Sequence, residues 1–432
     1  MNVWRVGSKF GDEIGPIDDV FRQYNIAFAG DTKPQEKIFR EVEIADIIAI
    51  TRGQEIIAVG RVREKKKLSE IETALFARFG DLNALVLEPL FWKNDNEKWL
   101  IYEGQGMQFN KAHDEYERGI ISIYNERNRY YQRNKMNQEI ATLLKAKKQV
   151  ILTGAPGTGK THLAKQIAAE MLGCQVKELP IERYGFVQFH PAYDYTDFVE
   201  GLKPVNGGSN TNNSIGFKLR DGIFMKFCKN AATLGEQPCV FVIDEINRAD
   251  LSRVFGELFF ALESGYRGEA VITQYAYLRE TNEDRHFTVP KNVFIIGTMN
   301  DIDRSVESID FALRRRFAWY EVKADKDRFD TVMNGIALED ALINEARKRY
   351  LSLNEAIGKA EDLGPAYQVG PAYFRELEQY VGATGIWEIF WKRHFEMLVR
   401  EYVRGWPKSK KEEQIKKFEA AYNLLPETST QT

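Results

Sequence analysis

Short uninterrupted apolar runs punctuate the middle of the chain, at 150–153, 240–243 and 293–297. Each is too short for a helix and rich in β-branched residues, which predicts strands buried on both faces. Between them apolar residues recur at helical spacing, for example over 163–171 and 252–262. Strand alternating with helix over 148–322 predicts an α/β domain built on a parallel sheet. Upstream, the runs 47–50 and 55–62 flank a short loop containing Gly53 and read as a β-hairpin, with another strand at 84–87. Residues 1–110 are therefore expected to form a small β-rich (α+β) domain. Apolar residues in 111–147 fall at helical intervals among Glu, Arg, Asn and Lys, which predicts a helical connector. Residues 323–432 read as an all-helical lid, with helices expected at 338–351, 373–380 and 386–403.

Composition narrows the class. The chain has 432 residues, 44% hydrophobic and 12% aromatic, which fits a folded protein of several domains. Its formal net charge of −3 means that any nucleic-acid surface must be local. The three cysteines, Cys174, Cys228 and Cys239, have no paired spacing, which argues against a disulfide framework or a zinc site. The first residues lack the pattern of a signal peptide, and no apolar run approaches the length of a membrane span. A cytoplasmic protein is the expectation.

Chemistry enters at Gly154-Ala155-Pro156-Gly157-Thr158-Gly159-Lys160-Thr161, followed by His162. This is the phosphate-binding pattern G-x-x-x-x-G-K-[ST] between a strand and a helix. Glycines let backbone N–H groups turn around phosphate oxygens, and the helix aims its positive end at the same anion. Lys160 would reach the β- and γ-phosphates, and the Thr161 hydroxyl would hold Mg²⁺. A second strand, 240–243, ends in Asp244 and Glu245. Asp244 suits Mg²⁺ and Glu245 suits the polarising of an attacking water. A third strand, 293–297, leads into Thr298-Met299-Asn300-Asp301-Ile302-Asp303-Arg304. There Asn300 can touch the γ-phosphate and the water, and Asp303 and Arg304 follow as further site candidates. Finally, Arg314, Arg315 and Arg316 follow an apolar helical turn, and a guanidinium supplied to a neighbouring subunit could stabilise phosphoryl transfer.

These motifs in this order, with a helical lid behind them, resemble the AAA+ superfamily. The segment Gln188-Phe189-His190, with Tyr193, Tyr195 and Phe198 behind it, narrows the resemblance to McrB-type GTPases. So do Gly222-Ile223-Phe224, Asp244-Glu245-Ile246-Asn247-Arg248-Ala249 and the M-N-x-x-D-R pattern of residues 299–304. The similarity covers roughly 135–408. It implies GTP rather than ATP as substrate with Mg²⁺, a homo-hexameric ring, and a separate McrC-like nuclease subunit. It also implies restriction of DNA carrying modified cytosine. One departure stands out: related lids often read Gly-His-Ser-Tyr-Phe where this chain has Gly370-Pro371-Ala372-Tyr373-Phe374. A lid contact to nucleotide from there is therefore not implied.

The opening Trp4-Arg5-Val6-Gly7 and the 46–62 hairpin resemble PUA-like folds of the EVE and YTH kind, which hold a flipped base in an aromatic pocket. Trp4, Trp92 and Trp99 are candidate walls; Arg61, Arg63, Lys65, Lys66 and Lys67 are candidate phosphate contacts. No nuclease constellation stands out. Two other readings remain: a MoxR-like AAA+ ATPase that remodels protein partners, and a nucleic-acid binding module with a degenerate ATPase domain.

Overall fold

A computed structural model describes residues 2–7, 18–28, 33–52, 55–79, 82–93, 110–111, 114–206, 215–282, 284–302, 311–334 and 336–424. The chain divides into two compact units, Met1–Asn134 and Lys135–Thr432.

The first unit is built on a six-stranded sheet. Its strands are β1 (Val3–Gly7), β2 (Ile26–Phe28), β3 (Ile47–Arg52), β4 (Glu55–Lys67), β5 (Asn83–Trp92) and β6 (Asn110–Lys111), in the order β2-β5-β4-β3-β1-β6. The β3–β4 hairpin is antiparallel, as its glycine-containing loop leads one to expect, whereas β1 pairs with β3 in parallel. The run Ile47-Ile48-Ala49-Ile50 does not alternate with polar residues because both faces of the sheet are covered. Ile48 and Ile50 pack with Trp4, Phe21 and Phe28 on one side, and Ile47 and Ala49 pack with Ile120 and Tyr124 on the other. Ile120 and Tyr124 lie on the helix Asp114–Lys147.

The second unit is built around a five-stranded sheet. Strands β7 (Gln149–Thr153), β8 (Tyr184–Gln188), β11 (Cys239–Asp244), β14 (Val293–Thr298) and β15 (Ala318–Glu321) lie in the order β15-β7-β14-β11-β8, all parallel. Two antiparallel ribbons branch from it, β9 (Glu200–Asn206) with β10 (Ile215–Asp221), and β12 (Ala270–Ile272) with β13 (His286–Thr288). The sheet is covered on both faces. Phe241 and Ile243 point into one core with Phe198, Phe224 and Phe255; Val240 and Val242 point into the other with Leu163 and Ile167. That two-sided burial explains the continuous apolar runs of the central strands.

Three expectations need correction. The segment 252–262 is two short helices, Leu251–Phe255 and Leu258–Ala261, separated at Gly256, whose φ of 50° breaks helical geometry. The segment 373–380 lies in a tighter 3₁₀ helix, Pro371–Tyr380, which opens on a proline. The segment 386–403 is interrupted by a π-helical turn, Trp391–Phe395, that seats Trp391 and Phe395 fully in the core. From residue 323 to 424 the described residues contain no strand, and their core gathers Phe329, Tyr350, Phe374, Trp391 and Phe418. The polar stretch 207–214 lies outside the described residues.

Gly222 starts the helix Ile223–Thr233 with its N–H donating to the Val199 carbonyl at 2.6 Å. A Cβ there would lie 2.4 Å from the Phe198 carbonyl carbon, a contact with backbone that no rotamer relieves. Gly222→Ala is expected to destabilise the second unit by about 1–3 kcal/mol. A lower urea midpoint with unchanged slope is the predicted readout, and an unchanged midpoint contradicts it.

Candidate functional site

The sheet order sets the site. β14 lies between β7 and β11, so the carboxyl ends of three parallel strands stand side by side. Crevices outside such ends are where open α/β sheets bind ligands. From β7 the chain enters the glycine loop and then the helix Lys160–Leu172. Gly154, Gly157 and Gly159 have φ of 138°, 77° and 81°, the left-handed region that side chains resist.

Lys160 is buried, and its Nζ donates to the carbonyls of Gly154 at 2.9 Å and Ala155 at 2.8 Å. Burial pulls its pKa down to about 8, against the upward pull of Asp301, Glu245 and Asp244. Thr161 donates from Oγ1 to Asp244 Oδ1 at 2.6 Å, and Thr298 donates to the same oxygen at 2.6 Å. Glu245 sits at φ 52°, with its N–H donating to Thr298 Oγ1 at 3.3 Å. Its two carboxylate oxygens are shared: Asn300 Nδ2 donates to Oε1 at 2.8 Å and Arg248 Nε to Oε2 at 3.1 Å. Asp301 is raised above the ordinary carboxylate range by burial, with Lys160 opposing the shift. Lys160, Thr161, Asp244, Glu245 and Asn300 thus come together as the sequence pattern anticipates, and His162 is exposed one residue further on.

Oxygen donors such as Thr161 Oγ1 and Asp244 are the hard ligands that Mg²⁺ takes. A buried lysine beside a glycine loop at a helix N-terminus is the complement of a phosphate chain. The residues present therefore fit a magnesium-bound nucleoside triphosphate.

Several neighbours were not legible as site residues. Thr298 and Asp301 carried no assigned role, though both belong to the segment that leads one to Asn300. Arg328, on the helix Lys326–Met333, donates from Nε to the Thr158 carbonyl at 2.6 Å and from Nη2 to the Gly159 carbonyl at 3.0 Å. The Gly370 and Ala372 N–H groups donate to the carbonyls of Pro156 and Gly157, each at 2.9 Å. No local pattern marks these groups, since the contacts span more than 160 residues of chain and two of the donors are backbone.

The arginine cluster ends the helix Phe311–Arg316. Arg314 lies 5.6 Å over the Trp319 ring, Arg315 pairs with Glu263 at 2.8 Å, and Arg316 pairs with the same carboxylate at 3.2 Å. Arg314 and Arg315 are exposed, Arg316 less so. Asp303 and Arg304 lie outside the described residues, as does Trp99.

In the first unit the structure argues against one wall of the base pocket. Trp4 is a core residue, only 3% exposed, whose Nε1 donates to Asp46 Oδ2 at 2.8 Å. Its ring has no open face to offer a base. Trp92 is half-buried, with the Arg22 guanidinium 4.5 Å over its ring. The candidate phosphate contacts already hold protein partners. Arg61 donates to the Ala45 carbonyl at 3.2 Å, Arg63 pairs with Glu88, Lys65 donates to the Phe39 carbonyl at 2.8 Å and Lys66 pairs with Glu64 at 3.2 Å. Lys67 stands at the N-cap of the short helix Leu68–Ile71, where its backbone N–H donates to Glu70 Oε2 at 3.2 Å. Among the described residues no cluster of His, Cys, Asp or Glu is arranged to hold a metal ion, and no helix is long and apolar enough to cross a membrane.

Sequence comparison agrees with this geometry. Residues 149–317 match the AAA domain of the dynein-related subfamily. With the parallel sheet and the glycine loop, that makes this part of the chain a AAA P-loop domain. More particularly, the chain is similar to the EcoKMcrB subunit of the type IV methyl-directed restriction enzyme of Escherichia coli K12. The two are 39% identical over 241 residues, 54% of this chain and 50% of that one. It is also similar to component YdiS of the type II restriction enzyme BsuMI of Bacillus subtilis 168, 28% identical over 206 residues, covering 41% of this chain and 58% of that one. The chain spans about half the length of the curated relatives it matches. Among solved structures, C. elegans PCH-2 aligns over 68% of either chain at 14% identity, with a TM-score of 0.23. The resemblance to McrB read from the motifs is borne out.

Lys160 binds an anion only while charged, and its pKa of about 8 places the loss of that charge just above neutrality. Triphosphate affinity is expected to be flat from about pH 6.5 to 7.5 and to weaken by up to about tenfold per unit above about 8, where binding must take up a proton. Lys160→Ala should bind far more weakly and without that pH dependence. Titration of a fluorescent nucleotide across pH checks both, and an unaltered slope in the variant contradicts the assignment.

Proposed function

We propose that the chain is the nucleotide-hydrolysing motor and DNA-recognition subunit of a modification-dependent restriction system of the McrBC kind. The observation that carries this reading is the hydrogen-bonded set Thr161–Asp244–Thr298 and Asn300–Glu245 beside the glycine loop. It lies within a AAA domain whose chain is 39% identical to EcoKMcrB over 241 residues.

In this reading the loop amides of 154–161 and Lys160 bind the phosphates of GTP, with ATP as the alternative substrate. Mg²⁺, held by Thr161 with Asp244 behind it, supplies charge neutralisation to the phosphates. Glu245 accepts a proton from, or orients, the attacking water, and Asn300 fixes the Glu245 carboxylate through Oε1. Glu245 sits at φ 52° just past the end of β11, a conformation held at few sites, and its charge acts on Lys160 of the glycine loop. Arg314, Arg315 and Arg316 reach the phosphates of the adjacent subunit in a homo-hexamer, for which Arg315 exchanges its surface pair with Glu263. Asp303 and Arg304 complete the site from the segment after Asn300. Residues 1–110 read modified DNA, with Trp92 as the remaining described wall, and a separate McrC-like nuclease makes the cut. The domain limits proposed for these roles are 1–110, 111–147, 148–322 and 323–432, and the proposed location is the cytoplasm.

Phosphate release from GTP and from ATP, with and without a McrC-like nuclease subunit, tests the reading. Turnover of GTP that rises with the nuclease subunit is expected, with Glu245→Gln retaining nucleotide and losing at least about 100-fold in rate. ATP preference with no response to the nuclease subunit would favour a MoxR-like remodeller of proteins instead.

A further inference from the structure

The carbonyls of the glycine loop can be accounted for one by one. Gly154 and Ala155 give theirs to Lys160 Nζ. Pro156 gives its to the Gly370 N–H, and Gly157 to the Ala372 N–H. Thr158 and Gly159 give theirs to Arg328 Nε and Nη2. Four consecutive loop carbonyls, 156 to 159, are therefore held by the residues that follow the AAA sheet. In a planar trans peptide the N–H points opposite to the C=O. Holding these carbonyls on the lid side turns the N–H groups of 157, 159 and 160 the other way, toward the crevice where phosphates would sit, while the Thr158 N–H donates to the Ala155 carbonyl at 3.4 Å.

We infer that Arg328 and the Gly370–Ala372 segment form a latch that sets the peptide orientation of the glycine loop, so that lid position controls nucleotide affinity. The inference deepens the proposed function and rests on its assignment of the loop to a triphosphate. Arg328 is a positioning residue, acting through the loop rather than on phosphate.

Four features support a built latch. Arg328 is 5% exposed, and its guanidinium lies against the loop so closely that a Cβ on Gly159 would be 2.8 Å from Nη2. Its own helix is anchored beside the contact, since Asp325 accepts from the Arg328 N–H at 2.9 Å. Burial lowers the Arg328 pKa only to about 10, so the donor stays charged at neutral pH. Gly370 approaches the loop more closely still: a Cβ on it would lie 2.0 Å from the Gly157 carbonyl carbon. Only a residue without a side chain lets these two backbones meet. The lid segment where the Gly-His-Ser-Tyr-Phe pattern is lost thus meets the loop through its backbone, which needs neither the His nor the Ser.

The latch makes a specific demand on nucleotide binding. If the latch opens, the 156–158 carbonyls lose these donors while Gly159 keeps the Leu163 N–H at 3.0 Å, the peptides from 156 to 158 are free to rotate, and the anion loses oriented amides. A substitution in the latch should therefore raise KM and Kd while leaving kcat at saturation close to wild type. Glu245, Asn300 and the arginines are untouched by it.

The test uses the full chain, with Arg328→Lys, Arg328→Met and Gly370→Ala, and Lys160→Ala as the reference for loss of phosphate binding. Kd for GTP and ATP, KM and kcat, and the nucleotide-free melting temperature are measured for each. Arg328→Lys keeps the charge but can hold only one carbonyl well, and should weaken binding by about 10-fold. Arg328→Met and Gly370→Ala should weaken it by about 30-fold or more, with kcat within about twofold. If the two changes act on one latch, the double variant should fall short of the product of the single effects. Folded Arg328→Met and Gly370→Ala proteins that bind within twofold of wild type overturn the latch. So does a fall in kcat at unchanged KM. Should Arg328→Met fail to fold, Arg328→Lys and Gly370→Ala still decide the question. Wild-type chain that binds neither nucleotide would instead sink the proposed function, which separates the two failures.

Discussion

A glycine loop can present its amides to an anion only if its carbonyls are satisfied on the opposite side. Backbone carbonyls buried without donors are costly, so the loop needs partners for each of them. Here Lys160 supplies the first two and the residues beyond the AAA sheet supply the next four. The constraint ties together parts of the chain that are remote in sequence. β7 delivers the loop, β11 and β14 deliver Asp244, Glu245, Thr298 and Asn300 beside it, and Arg328 with Gly370 and Ala372 closes its back. The strand order β7-β14-β11 is what lets one crevice hold all three.

The sheet itself was legible where burial is extreme. β7, β11 and β14 are covered on both faces, and their residues 150–152, 239–243 and 293–296 are apolar without interruption. β8 and β15 were not foreseen because they are the edges of the same sheet. Their residues are mostly half-buried, and Tyr184-Gly185-Phe186-Val187-Gln188 and Ala318-Trp319-Tyr320-Glu321 carry no clear strand rhythm. The π-helical turn within 386–403 was equally hidden, because no helix-breaking residue marks the place where Trp391 and Phe395 enter the core.

Site residues divide along similar lines. Lys160, Thr161, Asp244, Glu245 and Asn300 could be placed because each sits at a fixed offset from a buried strand. Arg328 could not, since a buried arginine on a helix leaves no local trace; Gly370 and Ala372 lie in a segment that the lid pattern marks, but their role as backbone donors to the loop is not written in side chains. In the first unit Trp4 was a misleading candidate wall. Trp4 is a core ring locked to Asp46, an arrangement that steadies the start of β1 against the turn before β3. Three backbone and side-chain donors on one carboxylate also hold the Asp46 pKa below its ordinary value in spite of burial.

The roles of Lys160, Thr161, Asp244, Glu245 and Asn300 all depend on nucleotide binding at the glycine loop. Hydrogen exchange of the full chain with and without GTP and Mg²⁺ measures this most directly, amide by amide. The account predicts slowed exchange at residues 154–161 on adding nucleotide, with Lys160→Ala showing none of it at the same concentration. Nucleotide binding that leaves the 154–161 amides exchanging at their free rate would contradict it.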